Sequence, residues 1–262
     1  MGLPQRGVIH SAFNAAANIV FPSGFILSLN AASSSHLADK SALGTINQPT
    51  RMPNGLQLTA APGTFPFTAL RAGMPVLFGA QRLHIEAIGC SLDLSLCSQW
   101  NPHIERPALL DMEIVRKNRD RLSKYVESDQ RAPFRDHPLA FPYIHNLAQS
   151  LCGRGIGLTP AGDDMLAGWM AAGWLLYGPM PSFLDACQQI VEVAKSQTHL
   201  LSQCWLGYAA EGCVAQPICA LLDALTRDDE KQLSEATEAV LAIGATSGHD
   251  VIQGILLLLN EM

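Results

Sequence analysis

Gly153-Arg154-Gly155-Ile156-Gly157-Leu158-Thr159-Pro160-Ala161-Gly162-Asp163-Asp164 runs directly into an apolar stretch from Met165 to Tyr177. That stretch, about 13 residues, is shorter than the roughly 20 needed to span a bilayer and reads as a buried helix. Glycines at alternate positions let the backbone take positive φ. Pro and acids then suit the first turn of a helix, whose N-terminal end carries partial positive charge. A shorter version recurs: Gly244-Ala245-Thr246-Ser247 leads into Gly248-His249-Asp250-Val251-Ile252-Gln253-Gly254. Both helices open on Gly, any residue, Asp, two apolar residues, any residue, Gly. The offset is 86 throughout (248 minus 162, 250 minus 164, 254 minus 168). Two acid-bearing loop–helix units predict a paired ligand site within a helical region.

Outward from this stretch, the C-terminal part reads as mainly helical. Expected helices are Asp111 to Glu127 with Asp111 as cap, Leu139 to Cys152, Ala161 to Tyr177, Ser182 to Ser196, Leu200 to Glu211, Ile218 to Leu225, Leu233 to Ile243 and Asp250 to Leu259. Residues 1–100 read instead as short β-prone runs: Val8 to Phe13, Phe25 to Leu29, Leu56 to Leu58, Met74 to Phe78 and Leu83 to Ile88. Turn residues separate these runs at intervals that suit a small antiparallel barrel or sandwich. Strands followed by helices predict an α+β protein, with a β-rich domain over 1–105 and a helical domain carrying both loops over 106–262.

The composition, 48% hydrophobic and 15% charged, is that of a globular chain. Six basic residues stand against four acidic ones up to residue 110, and eleven against nineteen thereafter. No basic stripe appears, which argues against nucleic acid. Seven cysteines without a CxxC pair read as reduced core thiols, and no secretory leader pattern is visible. The expected setting is cytoplasmic, away from membranes.

A glycine-rich loop at a helix N-terminus is an anion receptor. Gly153, Gly155, Gly157, Thr159 and Gly162 on one side, and Thr246, Ser247 and Gly248 on the other, are therefore candidate substrate-binding residues, with Arg154 as a bidentate clamp. Asp163, Asp164, Asp250 and His249 are the candidate catalytic residues. The three acids are also the ones that would hold a divalent metal, with Mg²⁺ the ion such a site admits. The alternative for each acid is to complement a helix dipole, worth about 0.3–1 kcal/mol; for His249 it is a backbone hydrogen bond. Thr198 reads as the N-cap of the next helix, with His199 and Ser202 beside it. Asn14 and Asn18 flank an alanine run and suit turns. Nucleotide motifs fail, because the glycines are spaced GxGxG and no Gly-Lys-Ser/Thr follows.

The first loop resembles the GxGxGLTPSGDD signature of a bacterial family that includes the AllH-type subunits linked to oxamate carbamoyltransferase in anaerobic allantoin breakdown. Thr246-Ser247-Gly248-His249-Asp250 resembles the same family's TSGxD signature. Val8-Ile9-His10-Ser11 and Asn18 are similar to its N-terminal pattern, which adds Asn18 to the candidate substrate-binding residues. Ala161 departs from the pattern, standing where Ser is common. The resemblance implies carbamoyl transfer between oxamate or oxalurate and carbamoyl phosphate in purine catabolism. It also implies small anionic substrates and companion enzyme subunits. Two other functions stay open: a carboxylase or metal-assisted hydrolase of a small carboxylate, and a non-catalytic metabolite-binding assembly subunit.

Overall fold

A computed structural model describes residues 4–31, 53, 55–58, 65–95, 97, 100–126 and 144–262. The chain divides into two units, Met1–Asn101 and Pro102–Met262.

In the first unit, β1 (Gln5–Ala12), β2 (Ala16–Val20), β3 (Ile26–Ala31), β4 (Gly55–Leu58), β5 (Pro75–Gly79), β6 (Arg82–Ile85) and β7 (Cys90–Asp93) form one sheet. The strand order is β4-β3-β2-β1-β5-β6-β7. Six of these strands pair antiparallel and curl into a half-barrel, while β4 adds to β3 in parallel at one edge. Period-two alternation puts Ile9, Ile19, Leu29, Val76, Leu83 and Ile85 on one buried face. The predicted α+β class and the strands-then-helices order both hold.

The β2 and β7 strands were not expected. The Ala-Ala-Asn-Ile-Val run of β2 has weak β propensity at its start, and pairing on both sides overrides it. Asn18 consequently sits in a strand and not in a turn. Its Nδ2 donates to Ser11 Oγ at 3.0 Å, and Ser28 Oγ donates to its Oδ1 at 2.5 Å. These three residues form a polar row across adjacent strands.

The second unit contains α1 (Met112–Val126), α2 (Ile144–Leu151), α3 (Ala161–Tyr177), α4 (Pro181–Gln197), α5 (Leu200–Ala210), α6 (Gln216–Leu225), α7 (Glu230–Leu241) and α8 (Ser247–Leu259). Residues 139–143 and Glu127, at the ends of two expected helices, lie outside the described residues. The α3 helix is apolar all round and lies at the centre, packed by α2, α4, α5, α6 and α8. Phe183 of α4 fills the notch left by Gly173, where an added Cβ would lie 2.1 Å from its ring. Trp174 meets that ring edge-on, with centroids 5.9 Å apart.

Two side chains close helix C-termini that would otherwise leave bare carbonyls. Arg106 donates to Leu175 O and Leu176 O at the end of α3. The fully buried Asn118 donates to Ala224 O, Leu225 O and Arg227 O at the end of α6. Among the described residues, no helix is long and apolar enough to cross a membrane.

Helix starts differ from the expected ones by one residue at α4, two at α6 and three each at α7 and α8, and the cap of α5 differs as well. The α7 helix begins at Glu230 because Asp229 caps it, its Oδ1 accepting from Gln232 N at 3.0 Å. The α8 helix begins at Ser247, which puts Gly248, His249 and Asp250 in its first turn. The residue preceding α5 is His199, so Thr198 is not its N-cap; Thr198 instead ends α4.

Candidate functional site

The N-terminal turns of α3 and α8 meet. Thr159 Oγ1 lies 3.2 Å from Ser247 Oγ, which joins the first loop to the second. Further along the two helices the contact is reciprocal. A Cβ on Gly168 would lie 2.1 Å from Val251 O, and one on Gly254 would lie 1.9 Å from Met165 O. Met165 and Val251 are themselves 86 positions apart, so the repeat in the sequence is a two-fold packing motif in space. Each unit also has a glycine in the first helical turn that touches the end of the preceding helix. Gly162 faces Leu151 O of α2, and Gly248 faces Val240 O of α7.

This arrangement brings Asp164 towards Asp250. Burial is the main cause that pushes the Asp164 carboxyl up to about 8. The charges of Asp250 and Asp163 add to the shift, while the hydroxyls of Ser247 and Thr159 oppose it. At neutral pH this carboxyl is therefore largely protonated and can donate a hydrogen bond. Its Oδ2 is buried and has no hydrogen-bond partner among the described residues. His249 Nδ1 lies 3.8 Å from Asp250 Oδ1, a pair that is ionic only when the imidazole is protonated.

Asp163 faces elsewhere. It is 2% exposed, its Oδ1 accepts from Gly153 N at 2.8 Å, and its Oδ2 accepts from the Thr198 hydroxyl. Ser202, also buried, donates to Leu158 O at 3.3 Å. Thr198 and Ser202 therefore hold the first loop from the α4–α5 junction. Their signal in the sequence was two hydroxyls at the start of a helix, a pattern that a helix cap explains equally well.

Several of the expected anion-binding amides are used inside the fold. Gly153 N–H serves Asp163, Gly162 N–H donates to Arg154 O at 2.9 Å, and Gly248 N–H donates to Ile243 O at 3.0 Å. Gly153 combines φ +71° with a backbone approach that a Cβ would block, 2.1 Å from Gln197 O. Gly155 and Gly157 also take positive φ, and between them Ile156 is 96% exposed at the loop tip. The Arg154 side chain is exposed. Thr246 occupies the N-cap position of α8 without a side-chain cap bond. Asn18 belongs to the first unit, in the polar row of β1, β2 and β3.

Among the described residues, no group of three or more His, Cys, Asp or Glu is arranged to hold a metal ion. Burial pushes the thiols of Cys152, Cys187 and Cys219 up to about 12, so none of these three is a thiolate near neutral pH.

Residues 151–259 match the family model described as oxamate carbamoyltransferase subunit AllH. This stretch is AllH-like. The AllH match begins at the last residue of α2 and ends at the last residue of α8, and so contains both glycine loops, Asp163, Asp164, His249 and Asp250. The sheet and Asn18 lie outside the AllH match. No solved structure matches the chain.

Proposed function

We propose that this chain is the AllH-type subunit of an oxamate carbamoyltransferase and that its two loop–helix units bind the small anionic substrates. The observation that carries this reading is the family match, because it covers both loops and the acids between them. In one direction the reaction takes oxalurate and phosphate to oxamate and carbamoyl phosphate. The bond from the carbamoyl carbon to the amide nitrogen breaks, a phosphate oxygen bonds to that carbon, and the departing nitrogen gains a proton.

Such chemistry needs positioning, charge stabilisation and a proton donor. Positive helix ends with Gly155, Gly157, Thr159, Thr246 and Ser247 suit an anion, and Arg154 adds a cation to the first loop. A carboxyl held neutral at pH 7, as Asp164 is by burial, can approach an anion without repulsion and can give up its proton. We assign that donor role to Asp164, with Asp250 and His249 as the groups that restore its proton. Companion subunits complete the assembly in this reading.

The test is reconstitution with the companion subunits, followed by phosphate release from carbamoyl phosphate. Release that depends on oxamate is expected, together with a fall of about a hundredfold or more in kcat for Asp164→Asn. Full activity in both Asp164→Asn and Gly155→Val would refute the site and leave an assembly role.

A further inference from the structure

Two acids stand side by side at the start of α3, and they face different partners. Asp164 turns toward Thr159, Ser247 and Asp250, whereas Asp163 is buried with both carboxyl oxygens engaged inside the fold. We infer that Asp163 is a positioning residue which fixes the first glycine loop to the α4–α5 junction, and that it takes no direct part in chemistry. The inference rests on the proposed role of this loop in binding substrate.

The geometry supports a brace. Gly153, where the loop leaves α2, donates its N–H to Asp163 Oδ1 at 2.8 Å and packs against Gln197 O at the end of α4. The next residue, Thr198, donates its hydroxyl to Asp163 Oδ2. One carboxyl group thus ties the start of α3, the mouth of the loop and the α4–α5 junction. Ser202 continues the brace by donating to Leu158 O near the far end of the loop, at 3.3 Å. The amides between these fixed points, from Gly155 to Leu158, are consequently held in one arrangement. Preorganised donors of this kind bind an anion without paying ordering entropy at each encounter.

A carboxylate that reacts and a carboxylate that braces respond differently to an amide. In Asp163→Asn the side-chain oxygen still accepts from Gly153 N–H, and the Thr198 hydroxyl can rotate to accept from the new NH₂. Asp163→Ala removes both bonds.

The test uses the full chain in two measurements. In the first, amide hydrogen exchange is followed across residues 153–159. Faster exchange is expected in Asp163→Ala and in Thr198→Val, with wild-type rates in Asp163→Asn and Thr198→Ser. In the second, the reconstituted complex is assayed with oxamate and carbamoyl phosphate. Asp163→Ala should raise KM by about tenfold or more with kcat within about threefold and an unchanged pH profile; Asp163→Asn should keep both constants. Loss of kcat in a folded Asp163→Asn, or unchanged loop exchange in Asp163→Ala, overturns the inference. A wild-type complex inert toward these substrates refutes the proposed reaction instead, and the exchange measurement still decides the brace. Should Asp163→Ala fail to fold, the Thr198→Val and Thr198→Ser pair carries the same comparison.

Discussion

Replacing Gly168 by Ala tests the contact between the two loop-bearing helices. An ideal Cβ there lies 2.1 Å from Val251 O, 2.9 Å from Val251 C and 3.1 Å from Ile255 N. All three are backbone atoms, so no side chain can swing aside, and α3 and α8 must separate by about 1 Å to reach ordinary contact. Overpacking of this kind costs about 3 kcal/mol at the upper end of the usual range, while Ala recovers up to about 1 kcal/mol of helix propensity over Gly. The net loss is about 2–3 kcal/mol, a fall in Tm of roughly 4–12 °C for a unit of this size.

Gly254→Ala should behave alike, its Cβ meeting Met165 O at 1.9 Å. Because one separation relieves both clashes, the double variant should cost clearly less than the sum of the two, about 3–4 kcal/mol. Gly207 in α5 is the control. A Cβ there meets nothing within 4 Å, so Gly207→Ala should stabilise by about 0.5–1 kcal/mol. Urea denaturation followed by circular dichroism measures all four variants. Strict additivity, or a Gly168→Ala variant as stable as Gly207→Ala, would refute the reciprocal packing.

Other expectations concern single residues. Burial raises Asp164 to about 8, so its stabilising contribution is complete below the unfolded carboxyl value near 4. That contribution is lost as pH rises through 8, at up to about 1.4 kcal/mol per pH unit. Asp164→Asn should flatten the stability profile between pH 5 and 8, and an unchanged slope would contradict the burial of that carboxyl. Asn118→Asp should destabilise more than Asn118→Ala in denaturant titrations at pH 7. It sets an acceptor-only group against three carbonyls, whereas Ala costs about 2–3 kcal/mol of lost bonds. The two-residue turn between β5 and β6 uses Ala80 and Gln81 at φ 49° and 60°. Asn-Gly at these positions should raise stability by about 1–2 kcal/mol, read as a higher urea midpoint.

Where the sequence was legible, local physics and tertiary packing agreed. The Ala161–Tyr177 helix was expected at its observed bounds because an apolar run ends at Gly178 and begins after Pro160. The strand β2 was missed because Ala16 and Ala17 carry no local β signal; their pairing with β1 and β3 is non-local. The twin Gly-x-Asp motif located the candidate site, since glycine, Pro and acid at a helix start follow from the backbone alone.

What the sequence by itself determined was the class, the order of elements and the two loops, all of which follow from residues within a few positions of one another. Only the tertiary structure separated Asp163 from Asp164. Successive residues in a helical turn point about 100° apart, so one acid faces the α4–α5 junction and its neighbour faces the second loop. That difference depends on which helices pack against α3, and no local pattern encodes it. The role of the paired glycines was likewise decided in space: Gly168 and Gly254 are small because each faces the backbone of the other's helix.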